Sequence, residues 1–191
     1  MDEIRSDSLT DSKLIWQETV VEDQIAVEPM VRFSSHTIAS ECQHDGLLLI
    51  LPSILKIQML DHASREVTRE QMGIILGQPY RDPTGFFYLV VRAAIPAMET
   101  EADITRVRLH AHGWPSLWKE AANHEGQGVV GWYHSHPGYG IFLSATDKKT
   151  QEIYFSAKWQ IAIVIDPVRE EFGVFSGVAA EQLPDSNILL G

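Results

Sequence analysis

A short apolar segment that runs directly into two histidines limits the local structure of this chain more than any other feature. The segment Val129-Val130-Gly131-Trp132-Tyr133 is rich in β-branched and aromatic residues, which is typical of a buried strand. Side chains alternate between the two faces of a strand, so His134 and His136 are expected to point the same way. Both imidazoles are therefore able to meet one metal ion where this strand ends.

The residues that follow return the chain toward the strand end. A proline and two glycines, within Pro137-Gly138-Tyr139-Gly140, end the strand, and Ser144-x-x-Asp147 predicts the start of a helix that continues to about Ser156. An aspartate in the first turn of this helix would lie near the two imidazoles. Two imidazoles and a carboxylate suit zinc, and three protein ligands leave the fourth tetrahedral position for water. The pattern predicts a hydrolytic metal site whose ligands are His134, His136 and Asp147.

Each half of the pattern also has an ordinary structural explanation. The chain contains a second His-x-His pair, His110-Ala111-His112, so this spacing alone is weak evidence for a metal site. The second pair is expected to be solvated or hydrogen-bonded. The Ser144-x-x-Asp147 spacing alone is a capping box, which stabilises a helix start without any catalytic role. Both explanations are compatible with a metal site, because Ser144 can cap the helix and line the site at once.

The combined pattern resembles the signature of a known enzyme family. His134-Ser135-His136, then seven residues, then Ser144-x-x-Asp147 is similar to the motif of the JAMM/MPN+ zinc metalloproteases, which include deubiquitinases and isopeptidases. The similarity extends over roughly residues 47–178. The eukaryotic relatives usually carry Cys-Trp where this chain has Ile141-Phe142. This departure touches none of the matched ligands, but the substrate preference of those relatives does not carry over to this chain.

The resemblance also implies a general base far upstream of the histidines. In the family a glutamate just before a strand that begins Met-Gly has this role, and Glu70-Gln71-Met72-Gly73 is similar to that segment. The role therefore falls on Glu70. Spacing alone would instead make Glu70 a surface residue at the end of a charged helix that starts near Asp61.

The two serines beside the ligands are expected to act differently. Ser144 is predicted to donate a hydrogen bond to the oxyanion that forms when an amide carbonyl is attacked. It is not predicted to be a nucleophile, because the neighbouring histidines would be occupied by metal. Ser135 lies between the ligands and should point to the opposite face, where it bonds to core or backbone groups.

The remaining pattern predicts an α/β fold, a mixed β-sheet flanked by helices, and the resemblance implies the cytidine-deaminase-like α/β/α sandwich of the MPN/JAB1 domain. A strand over Leu47 to Leu51 precedes a helix that begins at Ser53 and places Ile54, Ile57, Leu60, Ala63 and Val67 along one side. The other predicted elements are strands at Gly73 to Gln78 and Phe86 to Ala94 around the turn Asp82-Pro83-Thr84-Gly85, a helix from Trp114 to about His124, and a closing hairpin of Gln160 to Asp166 and Glu171 to Ser176.

Charge divides the chain into two parts. Residues 1–46 carry ten acidic and three basic side chains, a net charge of −7 out of −11 for the whole chain. We expect residues 1–46 to be an acidic, partly disordered extension and residues 47–191 to be the MPN+/JAMM catalytic domain. An acidic balance argues against nucleic acid as a partner. It fits either a protein partner with a basic face or a solvated acidic tail.

Cysteine and hydropathy indicate a soluble cytoplasmic protein. Cys42 is the only cysteine, so no internal disulfide can form, which suits a reducing compartment. The acidic N-terminus does not resemble a signal peptide, and no apolar segment approaches the roughly 18 residues that span a bilayer. No membrane partner is expected.

Three functions fit the sequence, two of them enzymatic and one not. The first is a zinc isopeptidase that cleaves after the C-terminal tail of ubiquitin or a ubiquitin-like protein. The second is a peptidase that trims sulfur-carrier-like proteins or small amides, and the third is a non-catalytic module that binds ubiquitin-like partners. The resemblance further suggests a stand-alone prokaryotic member that works with activating and conjugating enzymes. Residues Met98 to His112 are either its substrate loop or an ordinary surface loop.

Overall fold

The fold is built on one eight-stranded mixed sheet, seen in a computed structural model that describes residues 47–81, 86–97 and 114–191. The strands are β1 (Leu48–Leu51), β2 (Met72–Arg81), β3 (Phe87–Pro96), β4 (Gly128–Ser135), β5 (Ile161–Asp166), β6 (Glu171–Ser176), β7 (Glu181–Gln182) and β8 (Ile188–Leu190). The helices are α1 (Ser53–Ser64), α2 (Trp114–Ala121) and α3 (Ala145–Tyr154), with a short 3₁₀ turn at Asp185–Asn187.

Strand β4 lies in the middle of the sheet, whose order is β7-β6-β5-β4-β2-β3-β1-β8. It pairs antiparallel with β2 on one side and parallel with β5 on the other. Parallel pairs also join β1 to β3 and β1 to β8, and the remaining neighbours are antiparallel. The end of β4 is therefore enclosed by neighbouring strands, which suits the continuous apolar sequence that precedes the histidines.

Helices cover both faces of the sheet. On one face of the sheet, Leu55, Met59 and Ala63 of α1 share one core cluster with apolar side chains of six strands, β1 to β6. On the other face α2 contributes Leu117 and Ala121, and Phe155, at the end of α3, packs into the same cluster. The predicted fold class, an α/β fold with a mixed sheet flanked by helices, is confirmed.

Helix α1 presents a different face to the core from the one expected. Ile54 and Ile57 are each 59% exposed, and the buried residues are Leu55, Met59, His62 and Ala63. The helix ends at Ser64, whose hydroxyl donates to the Leu60 carbonyl at 2.7 Å, so Val67 lies beyond it. Of the predicted stripe, Ala63 is buried and Leu60 packs in part against the core, whereas Ile54, Ile57 and Val67 are exposed. The helix does not extend to Glu70, which excludes the alternative drawn from spacing alone.

The other predicted elements are found within a few residues of their expected bounds. The strand β1, the pair β2 and β3, the helices α2 and α3, and the closing pair β5 and β6 are all present. The short strands β7 and β8 were not predicted. Several earlier predictions lie outside the described residues, namely those on residues 1–46, the turn at 82–85, the loop at 98–112 and the pair His110 and His112. No helix in the described part of the chain is long and apolar enough to cross a membrane.

Candidate metal centre

The two histidines project from the end of β4 into one buried space. His134 is the penultimate residue of β4, and His136 is the first residue after the strand. Their exposed fractions are 0% for His134 and 3% for His136. Their Nε2 atoms are 3.1 Å apart. The backbone amide of His136 donates to the Ile165 carbonyl at 2.8 Å, so pairing with β5 continues to the second histidine. The sheet itself therefore sets the separation of the two rings.

Asp147 reaches the histidines from the first turn of α3. Ser144 caps this helix, accepting from the Asp147 amide at 3.2 Å, while its own amide donates to Asp147 Oδ2 at 2.7 Å. The same Oδ2 lies 3.5 Å from His134 Nε2 and 3.7 Å from His136 Nε2. Burial alone would raise the pKa of Asp147, but the two histidines and Ser144 hold that pKa well below its ordinary value. The residue is thus a buried carboxylate.

Glu70 approaches from the segment between α1 and β2. Its Oε1 is 3.7 Å from His136 Nε2, and its side chain is 37% exposed. The next residue fixes this position, because the Gln71 amide donates to Ser135 Oγ and the Ser135 amide donates to the Gln71 carbonyl, both at 2.8 Å. Ser135 therefore bonds to backbone on the face away from the ligands, as expected from strand alternation.

The surroundings of Glu70 favour the protonated form of its carboxyl group. Burial raises its pKa above the ordinary value, the two histidines oppose that shift, and the Asp147 carboxylate adds to it. A carboxyl group with a raised pKa at the edge of a buried site accepts a proton more readily than an ordinary glutamate does, which suits a general base.

An aspartate that sequence reasoning missed holds the loop between His136 and Ser144. Asp166 Oδ1 accepts from the Gly138 amide at 2.8 Å, and its Oδ2 accepts from the Gly140 amide at 2.7 Å. The amides of Val168 and Arg169 donate to the same carboxylate at 3.0 and 3.1 Å. Its sequence signal is the single acidic residue that ends the otherwise apolar strand β5.

Aromatic rings contact both imidazoles. The Trp132 ring stacks on His134 with centroids 4.5 Å apart and planes inclined by 9°. Phe142, which is 45% exposed, lies 4.6 Å from the His136 ring at 43°. From the sequence, Trp132 is expected only as a core residue of the strand, whereas the structure places it in the site.

The donor set fits a zinc ion. Tetrahedral ligand bonds of about 2.0–2.2 Å place donor atoms about 3.3–3.6 Å apart, and the three separations here are 3.1, 3.5 and 3.7 Å. In a hydrogen bond between two Nε2 atoms only one of them offers a lone pair, whereas two neutral imidazoles could both offer lone pairs to one cation. Burial lowers the pKa of His136, but Asp147 and Glu70 outweigh that effect and raise it, which shows that the site favours positive charge. His134, His136 and Asp147 form a group that could hold a metal ion.

The structure thus brings together all five residues that the sequence singled out. Four of them have side-chain atoms within 3.7 Å of at least one other member of the group, namely Glu70, His134, His136 and Asp147. The fifth, Ser144, is bonded to Asp147 in the capping box. A Lewis-acid position beside a proton-accepting carboxyl group is an arrangement able to activate water for hydrolysis.

Known proteins resemble this domain in sequence and in fold. Residues 46–158 match the family described as JAB1/Mov34/MPN/PAD-1 ubiquitin protease. COP9 signalosome complex subunit 5 of Caenorhabditis elegans is 38% identical over 123 residues, which are 62% of this chain and 32% of that protein. Ubiquitin carboxyl-terminal hydrolase RPN11 of Saccharomyces cerevisiae is 30% identical over 128 residues, 64% of this chain and 40% of that protein.

The match to these relatives is partial in length, since the chain spans about a third to two fifths of each of them. A solution structure of a protein from Desulfitobacterium hafniense has the same fold, with a TM-score of 0.53, 18% identity, and coverage of 75% of this chain and 93% of that one. The family match includes all three candidate ligands and Glu70, and it extends over more than half of the sequence. The chain therefore belongs to the JAB1/Mov34/MPN/PAD-1 ubiquitin protease family.

Proposed function

We propose that this protein is a zinc-dependent isopeptidase that hydrolyses the amide bond after the C-terminal tail of ubiquitin or a ubiquitin-like protein. The observation that carries the proposal is the convergence of Glu70 with His134, His136 and Asp147, although more than 60 residues of sequence separate the glutamate from the first histidine. A capped helix start or a buried histidine pair would not need a distant carboxyl group at this point. The ubiquitin protease family and the names of the two relatives support the substrate class.

The proposed ligands are His134, His136 and Asp147. Zinc bound there would act as a Lewis acid and lower the pKa of a water molecule far enough to supply hydroxide at neutral pH. Glu70 takes up the proton of that water and later gives it to the leaving amine. The raised pKa of Glu70 and its partial exposure both suit a group that gains and loses a proton during each cycle.

Ser144 is proposed to stabilise the oxyanion. Its backbone amide and its side chain are both engaged by Asp147, which fixes the hydroxyl oxygen beside the ligand carboxylate. The hydroxyl also bonds to the Asp147 carboxylate, so the proposed role requires its hydrogen to turn from that carboxylate toward the oxyanion. A hydrogen bond that strengthens as the carbonyl becomes tetrahedral lowers the barrier.

An extended C-terminal tail suits the position of the centre. The ligands lie at the end of β4, whose two sides are taken by β2 and β5, so an extended tail would reach them over the end of the strand and not by pairing with β4. A small final residue on the tail would let the scissile amide reach the buried ligands. Partners of the proposed enzyme are accordingly the modifier itself and, as the sequence suggested, the enzymes that activate and conjugate it.

The test is cleavage of C-terminal aminocoumarin conjugates of ubiquitin and of a sulfur-carrier-type ubiquitin-like protein, with and without a chelator. The wild-type protein should bind one zinc per chain and release the fluorophore only when zinc is present. Glu70→Gln should keep the zinc and lose turnover by roughly 10²–10⁴-fold, the usual range for a positioned base. Glu152→Gln, an exposed residue of α3, serves as the matched control and should retain full activity.

Three outcomes would contradict the proposal. Release that survives the chelator would exclude the metal, and full activity of Glu70→Gln would exclude the assigned base. Binding of a modifier without any release would instead identify a non-catalytic binding module.

A further inference from the structure

His134 lacks the contact that normally orients a histidine ligand. Such a ligand usually donates its second ring nitrogen to a carboxylate, a carbonyl or water, which fixes the ring. Within the described residues, His134 Nδ1 is buried and has no hydrogen-bond partner. Some other contact must therefore set the angle of this imidazole.

The Trp132 ring provides that contact. It lies nearly flat against the imidazole, with 4.5 Å between centroids and 9° between planes, and it is fully buried. The Phe155 ring is also nearly parallel to the Trp132 indole, with 18° between the planes and 6.2 Å between the ring centroids. Two residues apart on one strand, Trp132 and His134 share a face, so the stack follows directly from the geometry of β4.

Gln151 fixes the indole in turn. Its Oε1 accepts from Trp132 Nε1 at 2.9 Å, while its Nε2 donates to the carbonyls of Phe155 at 2.9 Å and Gln160 at 3.2 Å. The Gln151 side chain is completely buried. It follows Asp147 by four residues on α3, so the helix that carries the carboxylate ligand also holds the ring behind the histidine ligand.

We propose that Trp132, locked by Gln151, is a positioning residue that orients the His134 imidazole by stacking instead of by a hydrogen bond. The inference rests on the proposed function only in taking His134 as a metal ligand. It couples two ligands from different elements, because a shift of α3 moves Asp147 directly and moves His134 through Gln151 and Trp132.

Metal binding tests the inference without reference to turnover. The purified metal-free protein is titrated with zinc against a chromogenic chelator, and with cobalt(II), whose visible absorption bands report ligand geometry. The variants are Trp132→Leu, which removes the ring, and Trp132→Phe, which keeps a ring but loses the indole N–H. The control is Trp159→Leu, the same change at a buried residue that packs on the α1 face of the sheet.

We expect Trp132→Leu to raise the zinc dissociation constant about 10-fold or more, within the usual range for loss of an outer partner of a ligand, and to shift the cobalt bands. Trp132→Phe should give a smaller rise of roughly threefold, below that range. Trp159→Leu should lower the thermal midpoint and leave both metal readouts unchanged. If Trp132→Leu does not fold, the Trp132→Phe result decides the matter by the same criterion.

Equal metal affinities and cobalt spectra in the wild type and the Trp132 variants would overturn the inference while leaving the proposed function intact. A dependence of zinc affinity on Trp132 in a protein that cleaves no modifier conjugate would support the inference and overturn the proposed function. A wild-type protein that binds no zinc would overturn both.

Discussion

One carboxylate oxygen of Asp147 has two tasks. It accepts the Ser144 amide, which completes the cap of α3, and it faces both imidazoles at 3.5 and 3.7 Å. The capping explanation and the metal explanation of Ser144-x-x-Asp147 are therefore compatible, because the bond that starts the helix also fixes the carboxylate that faces the two imidazoles. Any change at Ser144 is expected to affect the helix start and the site at once.

Two substitutions at Ser144 separate these effects. Alanine at an N-cap costs about 1 kcal/mol of stability, whereas glycine costs only a few tenths. Both remove the hydroxyl, so both should lower the cleavage rate about 10²–10³-fold if Ser144 stabilises the oxyanion. Urea unfolding and kcat on a modifier conjugate are the two measurements. A rate that follows stability, with the glycine variant close to wild type, would assign Ser144 to the cap alone.

At the scale of elements, the β4–loop–α3 unit was predictable from the sequence because its signals are local. An apolar strand, a proline and two glycines, and a capping box follow one another within about thirty residues, and each acts on its own neighbours. The buried face of α1 was not predictable in this way. Ile54 and Ile57 form one apolar stripe and Leu55 and Met59 another, and only the position of the sheet decides between them.

The close approach of β4 to β5 depends on Gly131. A Cβ added at this residue would lie 2.2 Å from the Ile161 carbonyl oxygen, which is backbone and cannot move aside alone. On the same strand, a Cβ at Gly128 would meet nothing within 4 Å. The two glycines therefore form a matched pair in one element.

Alanine at each of these glycines should give different results in urea unfolding. Gly131→Ala is expected to lower the free energy of unfolding by about 1–3 kcal/mol, as overpacking in a filled interior does. Gly128→Ala should change it by less than about 0.5 kcal/mol, as exposed substitutions usually do. Equal effects of the two changes would mean that the sheet opens at Gly131 without cost.

At the scale of the whole molecule, the site joins segments that the sequence keeps apart. The three candidate ligands lie within fourteen residues and were found from their spacing, but the role of Glu70 came only from family resemblance. The sequence marks Asp166 only as the one acidic residue at the end of an apolar strand and does not reveal its partners, which are backbone amides of the loop after β4. The contact from Gln151 to Trp132 gave no signal, because it depends on the packing of α3 against β4. Long-range packing therefore supplies the part of the site that local patterns do not contain.

Asp166 connects this site to the stability of the whole domain. Burial would raise the pKa of Asp166, but four backbone amides that donate to its carboxylate hold that pKa below its ordinary value. They belong to Gly138, Gly140, Arg169 and Val168. A carboxyl group with a lowered folded-state pKa binds fewer protons when folded than when unfolded in the acidic range. Its contribution to stability is therefore complete above the unfolded pKa of about 3.9 and is lost as the pH falls through the lower folded value.

Urea unfolding of the metal-free wild type and of Asp166→Asn from pH 3 to pH 7 measures this contribution. At neutral pH the variant should be less stable by about 1–3 kcal/mol, because a neutral amide leaves some of the buried amide donors unsatisfied. The difference should stay constant down to about pH 5 and shrink below about pH 4, because there only the wild type loses an ionised partner. Asp61→Asn, at an exposed pair with Arg65, should differ from wild type by less than about 1 kcal/mol throughout. A difference between Asp166→Asn and wild type that stays constant to pH 3 would show that the loop does not depend on the charge of this carboxylate.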